Sequence, residues 1–354
     1  MNVRGILVAL FAITISLAVL VFSIGDDEFE PSAPSPAALD PLAFDDGERI
    51  ELEAGSASLT CGFDHDAPRP AGTPIGGVTY TELRERVRGC VSTQLVHLYY
   101  TGSMNAGMTR LVAAVTSAAV DVGVRGRLLD ADSKGGDIAA AMRAGELMSE
   151  HGWAMWVARG SSCYSACTML LAAAHYRAVR GDVGIHRVFP AHSTATSREE
   201  LAHDLERILG RIRNYLMRHG VSTQLTDAMM TVPAREIRVL NDEELAGFGL
   251  VGQNAAQADL ERIQLVQRCG MAFVRRAEAW EQAHTQECVR PYAQRARETE
   301  VSPRRFECAI LECGRKLEPR FGFPDPECPA ESPIFRTSSW HFCEDNEQRR
   351  AQAQ

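Results

Sequence analysis

The chain has 354 residues, of which 45% are hydrophobic and 23% charged, enough for one sizeable domain with additional segments. Its 37 basic and 46 acidic residues give a formal net charge of −9, and no basic stripe interleaved with aromatic residues is visible. This balance argues against a nucleic-acid partner. Lys134 and Lys316 are the only lysines, so a catalytic lysine has few candidates.

The N-terminal segment, residues 1–25, contains an uncharged apolar run at 5–24 that is long enough to span a bilayer core of about 30 Å. Arg4 precedes the run and several acidic residues follow it, which orients the rest of the chain away from the cytoplasm. A cleaved signal peptide is the alternative, because Ser23 and Gly25 fit a small-residue cleavage site. The run is longer than an ordinary signal core, so a single-pass anchor with a periplasmic folded part is favoured.

The segments after residue 25 are predicted to be a linker, a lead-in and an α/β domain. Residues 26–48 are acidic and rich in Pro, Ala and Ser, which predicts a solvated linker, and residues 49–76 are predicted to be an irregular lead-in. Over residues 77–253 strand and helix signals alternate, which predicts a layered βα core. Strands are predicted at 96–100, 128–131, 153–157, 176–179 and 183–188, and helices at 108–120, at 137–150, from Ser197 to Gly220 and from Ser222 onward. Ser197 and Glu200 have the spacing of a capping box.

The C-terminal extension, residues 254–354, has a different character. It is charged and helical at first, then rich in Pro and Cys with little apolar content, so its order would have to depend on disulfides. Ten cysteines and an exported chain favour disulfides in general. The spacings lack the Cys-x-x-Cys pairs of a structural zinc site, so no metal is expected. The disulfide candidates outside the extension are Cys61, Cys90, Cys163 and Cys167, and a bridge between the last two would lock the turn that they enclose.

Three separated segments carry the residue types of acyl-transfer chemistry. Asp-Ser-Lys-Gly-Gly, which ends at Gly135 and Gly136, follows a predicted strand and opens a helix, so its amides can face a ligand. Ser165 lies at a strand-to-helix transition, where capping the helix is its alternative role. His186 lies on a predicted strand 21 residues later and could accept the serine proton.

Together these segments resemble the Clp protease proteolytic subunit (ClpP) and its crotonase-fold relatives. That family has Ser-Pro-Gly-Gly after a strand, a nucleophilic Ser that opens a helix and a His on a later strand. This chain has Asp-Ser-Lys-Gly-Gly, Cys-Tyr-Ser-Ala-Cys and Gly-Ile-His-Arg in that order. The resemblance begins near residues 98–102, ends at 239–251 and covers about 160 residues. The Cys-x-Ser-Ala-Cys variant is most similar to exported, membrane-associated Clp-like serine proteases of the periplasm.

The resemblance implies a role for each matching residue. Ser165 would attack a carbonyl, and His186 would be the general base. The main-chain amides of Gly136 and Ala166 would form an oxyanion hole, with Gly135 supporting the loop.

The acid of the family's triad has no clear equivalent. The alignment places Pro233 there, and the nearest acids are Asp227 and Glu236, so the third member of the triad is unknown. A Ser–His dyad whose ring is oriented by a backbone carbonyl is the alternative. A Ser–Lys dyad is disfavoured, because it would need Lys134, which replaces the proline of the family's glycine loop, or the distant Lys316.

The resemblance implies a serine hydrolase, most simply a peptidase, that acts on a peptide or protein and needs no cofactor. It also allows a homo-oligomer, because the family commonly forms rings. Acyl-CoA chemistry on the same fold is disfavoured, because CoA is cytoplasmic and no adenine- or phosphate-binding feature is visible. The main alternative is a catalytically inactive ClpP-fold protein that serves as a binding or scaffold component of the cell envelope.

Overall fold

The computed structural model of the chain describes residues 42–62, 72–190, 193–292, 294, 303–331 and 333. The apolar run at 5–24 and most of the predicted linker lie outside these residues. None of the helices within the described ranges is long and apolar enough to cross a membrane.

The described residues form ten strands. In chain order they are β1 Gly55–Cys61, β2 Thr73–Pro74, β3 Leu95–Gly102, β4 Gly126–Asp132, β5 Trp153–Val157, β6 Ser162–Tyr164, β7 Tyr176–Val179, β8 Asp182–Ile185, β9 Arg238–Val239 and β10 Gly252–Gln253.

The same residues form nine α-helices. They are α1 Tyr80–Arg88, α2 Ala106–Val122, α3 Ile138–Glu150, α4 Cys167–Ala173, α5 Arg198–Arg218, α6 Gln224–Met230, α7 Asp242–Phe248, α8 Ala255–His284 and α9 Pro303–Leu317. Gly270, at φ 79°, kinks α8.

Seven strands form the main sheet, in the order β10-β7-β5-β4-β3-β1-β2. Its centre is parallel, because β3, β4, β5 and β7 are joined by connections that contain the helices α2, α3 and α4. Antiparallel strands complete both edges, with β1 on β3 and β10 on β7. This arrangement confirms the predicted α/β class.

A second, smaller sheet has the order β6-β8-β9 and determines the position of the site described below. Strand β6 runs parallel to β8, with Tyr164 opposite Gly184. A parallel bridge between Ser133 and Cys163 ties the end of β4 to the same sheet, because the Ser133 amide donates to Ser162 O at 2.7 Å. The segments after β4, β6 and β8 are therefore brought to one place.

Helix α2 was predicted from apolar spacing, and its end signals extend it. Helix α2 begins after Asn105, whose side chain accepts the Met108 amide, and ends at Gly123, which takes the left-handed conformation. These caps extend the helix beyond the 108–120 predicted from apolar spacing.

Three local details differ from the sequence predictions. The lead-in 49–76 contains strand β1, in which only Ala57 and Leu59 face inward, so the apolar signal is short and the pairing with β3 defines the strand. The Ser197 side chain does accept the Glu200 amide, but the Glu200 carboxylate accepts from Thr196 instead of completing a capping box. The helix expected to start at Ser222 begins two residues later.

We refer to described residues 42–254 as the α/β unit and to those from 255 to 333 as the C-terminal region. The α/β unit contains a continuous apolar core and two disulfides, Cys61–Cys90 and Cys163–Cys167. The C-terminal region has a small separate core and two disulfides between distant residues, Cys269–Cys328 and Cys288–Cys313. Cys308 also takes part in a disulfide. All four cysteines proposed as disulfide candidates in the α/β unit are paired.

Candidate active site

The three segments with acyl-transfer residue types line one cavity. Its volume is about 570 Å³, and Gly136, Ser165 and His186 all contribute to its wall. The parallel pairing of β6 with β8 explains the meeting, because Ser165 follows β6 directly and His186 follows β8 directly. His186 is thus the first residue beyond its strand, whereas the sequence placed it inside a strand at 183–188.

Ser165 has an unusual backbone conformation, with φ 55° in the left-handed region. A non-glycine residue there costs on the order of 1–3 kcal/mol and persists only where its surroundings enforce it. The enforcing contacts are visible: its amide donates to Gly184 O at 2.9 Å, and its carbonyl accepts the Thr168 hydroxyl at 2.7 Å. The Cys163–Cys167 disulfide closes the turn on both sides of the serine. This is the geometry of a sharp strand-to-helix turn that presents a serine side chain.

The glycine loop lies directly against this serine. Gly135 has φ 106°, and a Cβ atom placed on it would lie 2.7 Å from the Ser165 Cβ. Gly136 has φ 144°, and its Cβ would lie 2.3 Å from Met104 O. Any side chain at either position would therefore displace the main chain or the serine.

The two amides expected to form an oxyanion hole are both unpaired among the described residues, unlike the neighbouring amide of Gly135. Neither the Gly136 nor the Ala166 amide donates to an acceptor in the described part of the chain, whereas the Gly135 amide donates to Ser133 Oγ at 3.1 Å. Gly136 lines the cavity, and Ala166 is buried directly after Ser165. Unpaired main-chain amides beside a serine are suited to bind an oxygen that becomes negative.

The His186 ring has a defined tautomer. Its Nδ1 atom lies 2.8 Å from Arg187 O, and because a carbonyl only accepts, Nδ1 donates; in the neutral ring Nε2 then carries the lone pair. No hydrogen bond joins the Ser165 hydroxyl to this ring, although both side chains are described and face one cavity. Such bonds often form only when substrate is bound.

The two weak candidates for the third member lie elsewhere. The Asp227 carboxylate pairs with Arg213 at 2.8 Å, Glu236 is exposed, and neither residue lines the cavity. The group hydrogen-bonded to Nδ1 is instead the main-chain carbonyl of Arg187. Of the dyad alternative, the structure contains the backbone carbonyl at the ring but no hydrogen bond between Ser165 and His186.

Two acids, Asp204 and Asp137, also line the cavity. Asp204 accepts the Ser193 hydroxyl at 2.6 Å and pairs with Arg207, and these contacts hold the pKa of Asp204 below its usual value. Asp137 accepts the Ala140 amide at 2.6 Å and so caps α3. Both acids are therefore engaged in local contacts.

The remaining wall of the cavity is mainly apolar, formed by Ile138, Met142, Val188, Ile208, Ile212 and Met229. Phe189, which is 71% exposed, also borders it. Helix α5 contributes polar residues at positions 204, 207 and 211, a spacing of three and four that places them on one helix face. That spacing was the available sequence signal for this wall. No group of His, Cys, Asp or Glu in the described residues is arranged to hold a metal ion.

Comparisons with known proteins give little further information. The chain matches no protein-family model and no curated protein. Among solved structures it is similar to a serine-to-alanine mutant of the membrane-bound stomatin-specific protease 1510-N, with 15% identity and a TM-score of 0.36 over 46% of this chain and 80% of that one. A lysine-to-alanine mutant of that protease with a substrate peptide gives 15% identity and a TM-score of 0.36 over 43% and 71%. Likeness at this level does not assign a function.

Proposed function

We propose that the protein is a serine peptidase of Clp-like type that uses Ser165 as nucleophile and His186 as general base. The observation that carries this proposal is the left-handed conformation of Ser165, enforced by a disulfide and by hydrogen bonds in the same cavity as an oriented imidazole. A helix cap needs none of this. The Ser165 side chain also makes no capping hydrogen bond to α4.

The proposed reaction starts with attack of Ser165 Oγ on a peptide carbonyl. The hydroxyl proton passes to His186 Nε2, a C–O bond forms, and the carbonyl electron pair becomes an oxyanion that the Gly136 and Ala166 amides bind. Collapse of this intermediate breaks the C–N bond, and the amine leaves with the proton from Nε2. Water then hydrolyses the acyl-enzyme by the same proton route. The Arg187 carbonyl orients the ring but carries no full charge, so a slower enzyme than a full triad is expected.

The test is covalent labelling of the purified full-length chain with a neutral fluorophosphonate. Labelling should locate to Ser165 and disappear in Ser165→Ala, and His186→Gln should slow it by about a hundredfold or more. Ser162→Ala is the matched control, because Ser162 lies three residues away and outside the cavity wall. It should be labelled like the wild type.

A catalytically inactive scaffold is the second candidate, and a specific observation favours it. In the described residues no carboxylate contacts the His186 ring, and Ser165 makes no bond to it. A wild-type chain that unfolds cooperatively but is not labelled would support this reading and exclude the peptidase.

The proposal also includes a membrane tether and an extracytoplasmic site. It is supported by the apolar run at 5–24 and by the disulfides, which persist in oxidising compartments. After alkaline extraction the chain should stay with the membranes, and protease added outside the cytoplasmic membrane should digest the folded part. Recovery in the soluble fraction would contradict the tether.

A further inference from the structure

Some charged side chains of the cavity have a partner of opposite charge, and others have none among the described residues. Lys134, Arg207 and Arg211 contribute cations, whereas Asp137 and Asp204 contribute carboxylates. Helix α5 carries Arg207 and Arg211 one turn apart, and Lys134 directly precedes the glycine loop that contacts Ser165. The cations are therefore placed on two walls of one small space.

Both carboxylates have local partners. Asp204 accepts the Ser193 hydroxyl and pairs with Arg207, and this ion pair also neutralises the charge of the arginine. Asp137 caps α3 through the Ala140 amide. The acids of the cavity are thus already bound within the fold.

Two cations remain without a counter-charge. Lys134 and Arg211 are both exposed, and neither makes an ion pair or hydrogen bond with another described residue. The wall of the same cavity also contains several aliphatic side chains. An ammonium and a guanidinium beside an apolar surface form a suitable site for a carboxylate attached to an apolar group.

We infer that Lys134 and Arg211 are specificity-determining residues that select peptides carrying a carboxylate close to an apolar side chain. This inference rests on the proposed function, because it names the substrate class of the same site. The apolar side chain would fill the cavity, and the carboxylate would lie at the two cations. The carboxylate can belong to an acidic side chain or to a free C terminus, and the experiment separates these sources.

The test measures peptide binding, which does not require catalysis. Short leucine-containing peptides with a neutral fluorophore carry Glu or Gln next to the leucine, each with a free or an amidated C terminus. They are titrated by fluorescence anisotropy with the full-length Ser165→Ala chain. We expect one of the two carboxylates, the Glu side chain or the free C terminus, to tighten binding about tenfold over the matched neutral peptide at low salt. Preference for Glu indicates a side-chain carboxylate, and preference for the free terminus indicates a terminal one.

Variants then test the assignment to these two residues. Adding Lys134→Gln and Arg211→Gln should reduce the acidic-to-neutral ratio to within about twofold, without weakening binding of the neutral peptide. Arg213→Gln is the matched control, because it removes a cation from the same helix but lies outside the cavity wall. It should leave the ratio unchanged, which excludes an effect of net charge alone.

Several results would overturn the inference. These are a ratio near one before the cations are removed, a ratio that survives the double substitution, or no measurable binding of any peptide. In a chain that keeps Ser165, loss of neutral fluorophosphonate labelling in Lys134→Gln would also overturn the inference, because it would assign Lys134 to the chemistry instead of to selectivity. Failure of wild-type labelling alone would contradict the proposed function, so the two failures are distinguishable.

Discussion

The α/β unit and the C-terminal region use different means to stay ordered. The α/β unit buries side chains from all its major elements in one core, and each of its disulfides joins residues fewer than 30 positions apart. The separate core of the C-terminal region consists of seven buried side chains, those of Leu265, Phe273, Val274, Ala277, Trp280, Leu311 and Phe323. Its disulfides join residues 59 and 25 positions apart. Apolar burial stabilises the first, whereas the second needs cross-links to limit its unfolded chain.

Removal of the longest cross-link should have the largest effect. Cys269→Ala with Cys328→Ala reopens a long loop and should cost the C-terminal region about 4 kcal/mol of unfolding free energy. Because that region has so small a core, we expect it to unfold while the α/β unit stays folded. Limited proteolysis should then cut within α8 and α9.

Cys61→Ala with Cys90→Ala is the matched control. The bridge joins residues 29 positions apart, for which chain entropy predicts a loss within about 1 kcal/mol of the first. Because the surrounding core is large, the α/β unit should lose stability without becoming sensitive to protease. Equal sensitivity of the two variants would contradict the comparison.

Single truncations in each core should have the next largest effects. Leu170→Ala and Leu311→Ala each remove a buried side chain, 0% and 5% exposed, and each should cost about 3 kcal/mol. In calorimetry, the first should lower the transition of the α/β unit and the second only that of the C-terminal region. A single transition shifted equally by both would show that the two regions unfold together.

The pH dependence should belong to the α/β unit. Burial is the main cause that lowers the pKa of both His175 and His219 from the ordinary value of 6.5. The unfolded chain therefore binds more protons than the folded one below about pH 6.5, and stability is lost as the pH falls from there. The slope is at most about 1.4 kcal/mol per pH unit for each histidine.

Urea unfolding at pH 7.5 and pH 5.0 measures this effect. His219→Gln should reduce the loss between the two conditions, whereas His203→Gln, at an exposed position on α5, should not. An unchanged loss in His219→Gln would exclude that histidine as a source.

Much of the α/β unit could be predicted because its signals are local. β5 and β7 have the predicted bounds, and β5 alternates buried with half-buried residues directly after Gly152. The segments of the site were also predictable, because Gly135, Gly136 and the turn at Ser165 depend on small residues at fixed spacing.

The rest depends on contacts that the sequence does not encode locally. β9 and β10 have two residues each and exist only through pairing with β8 and β7. The C-terminal disulfide partners could not be derived, because many pairings of six cysteines are equally consistent with the spacing. Asp204 and Arg211 enter the cavity only because α5 lies beside it.

The smallest predicted effect tests whether the backbone at Ser165 is strained in the folded α/β unit. Both non-glycine residues with positive φ in the described residues, Gln94 and Ser165, lie in the α/β unit. Because glycine adopts this conformation freely, Ser165→Gly should be more stable than Ser165→Ala by about 1 kcal/mol in chemical unfolding, although neither is labelled by fluorophosphonate. Gln94→Gly and Gln94→Ala should show the same difference with labelling intact. Equal unfolding free energies of the Gly and Ala variants at 165, with the Gly variant more stable at 94, would show that the backbone of the serine turn is not strained. The disulfide would then not be needed to enforce that conformation.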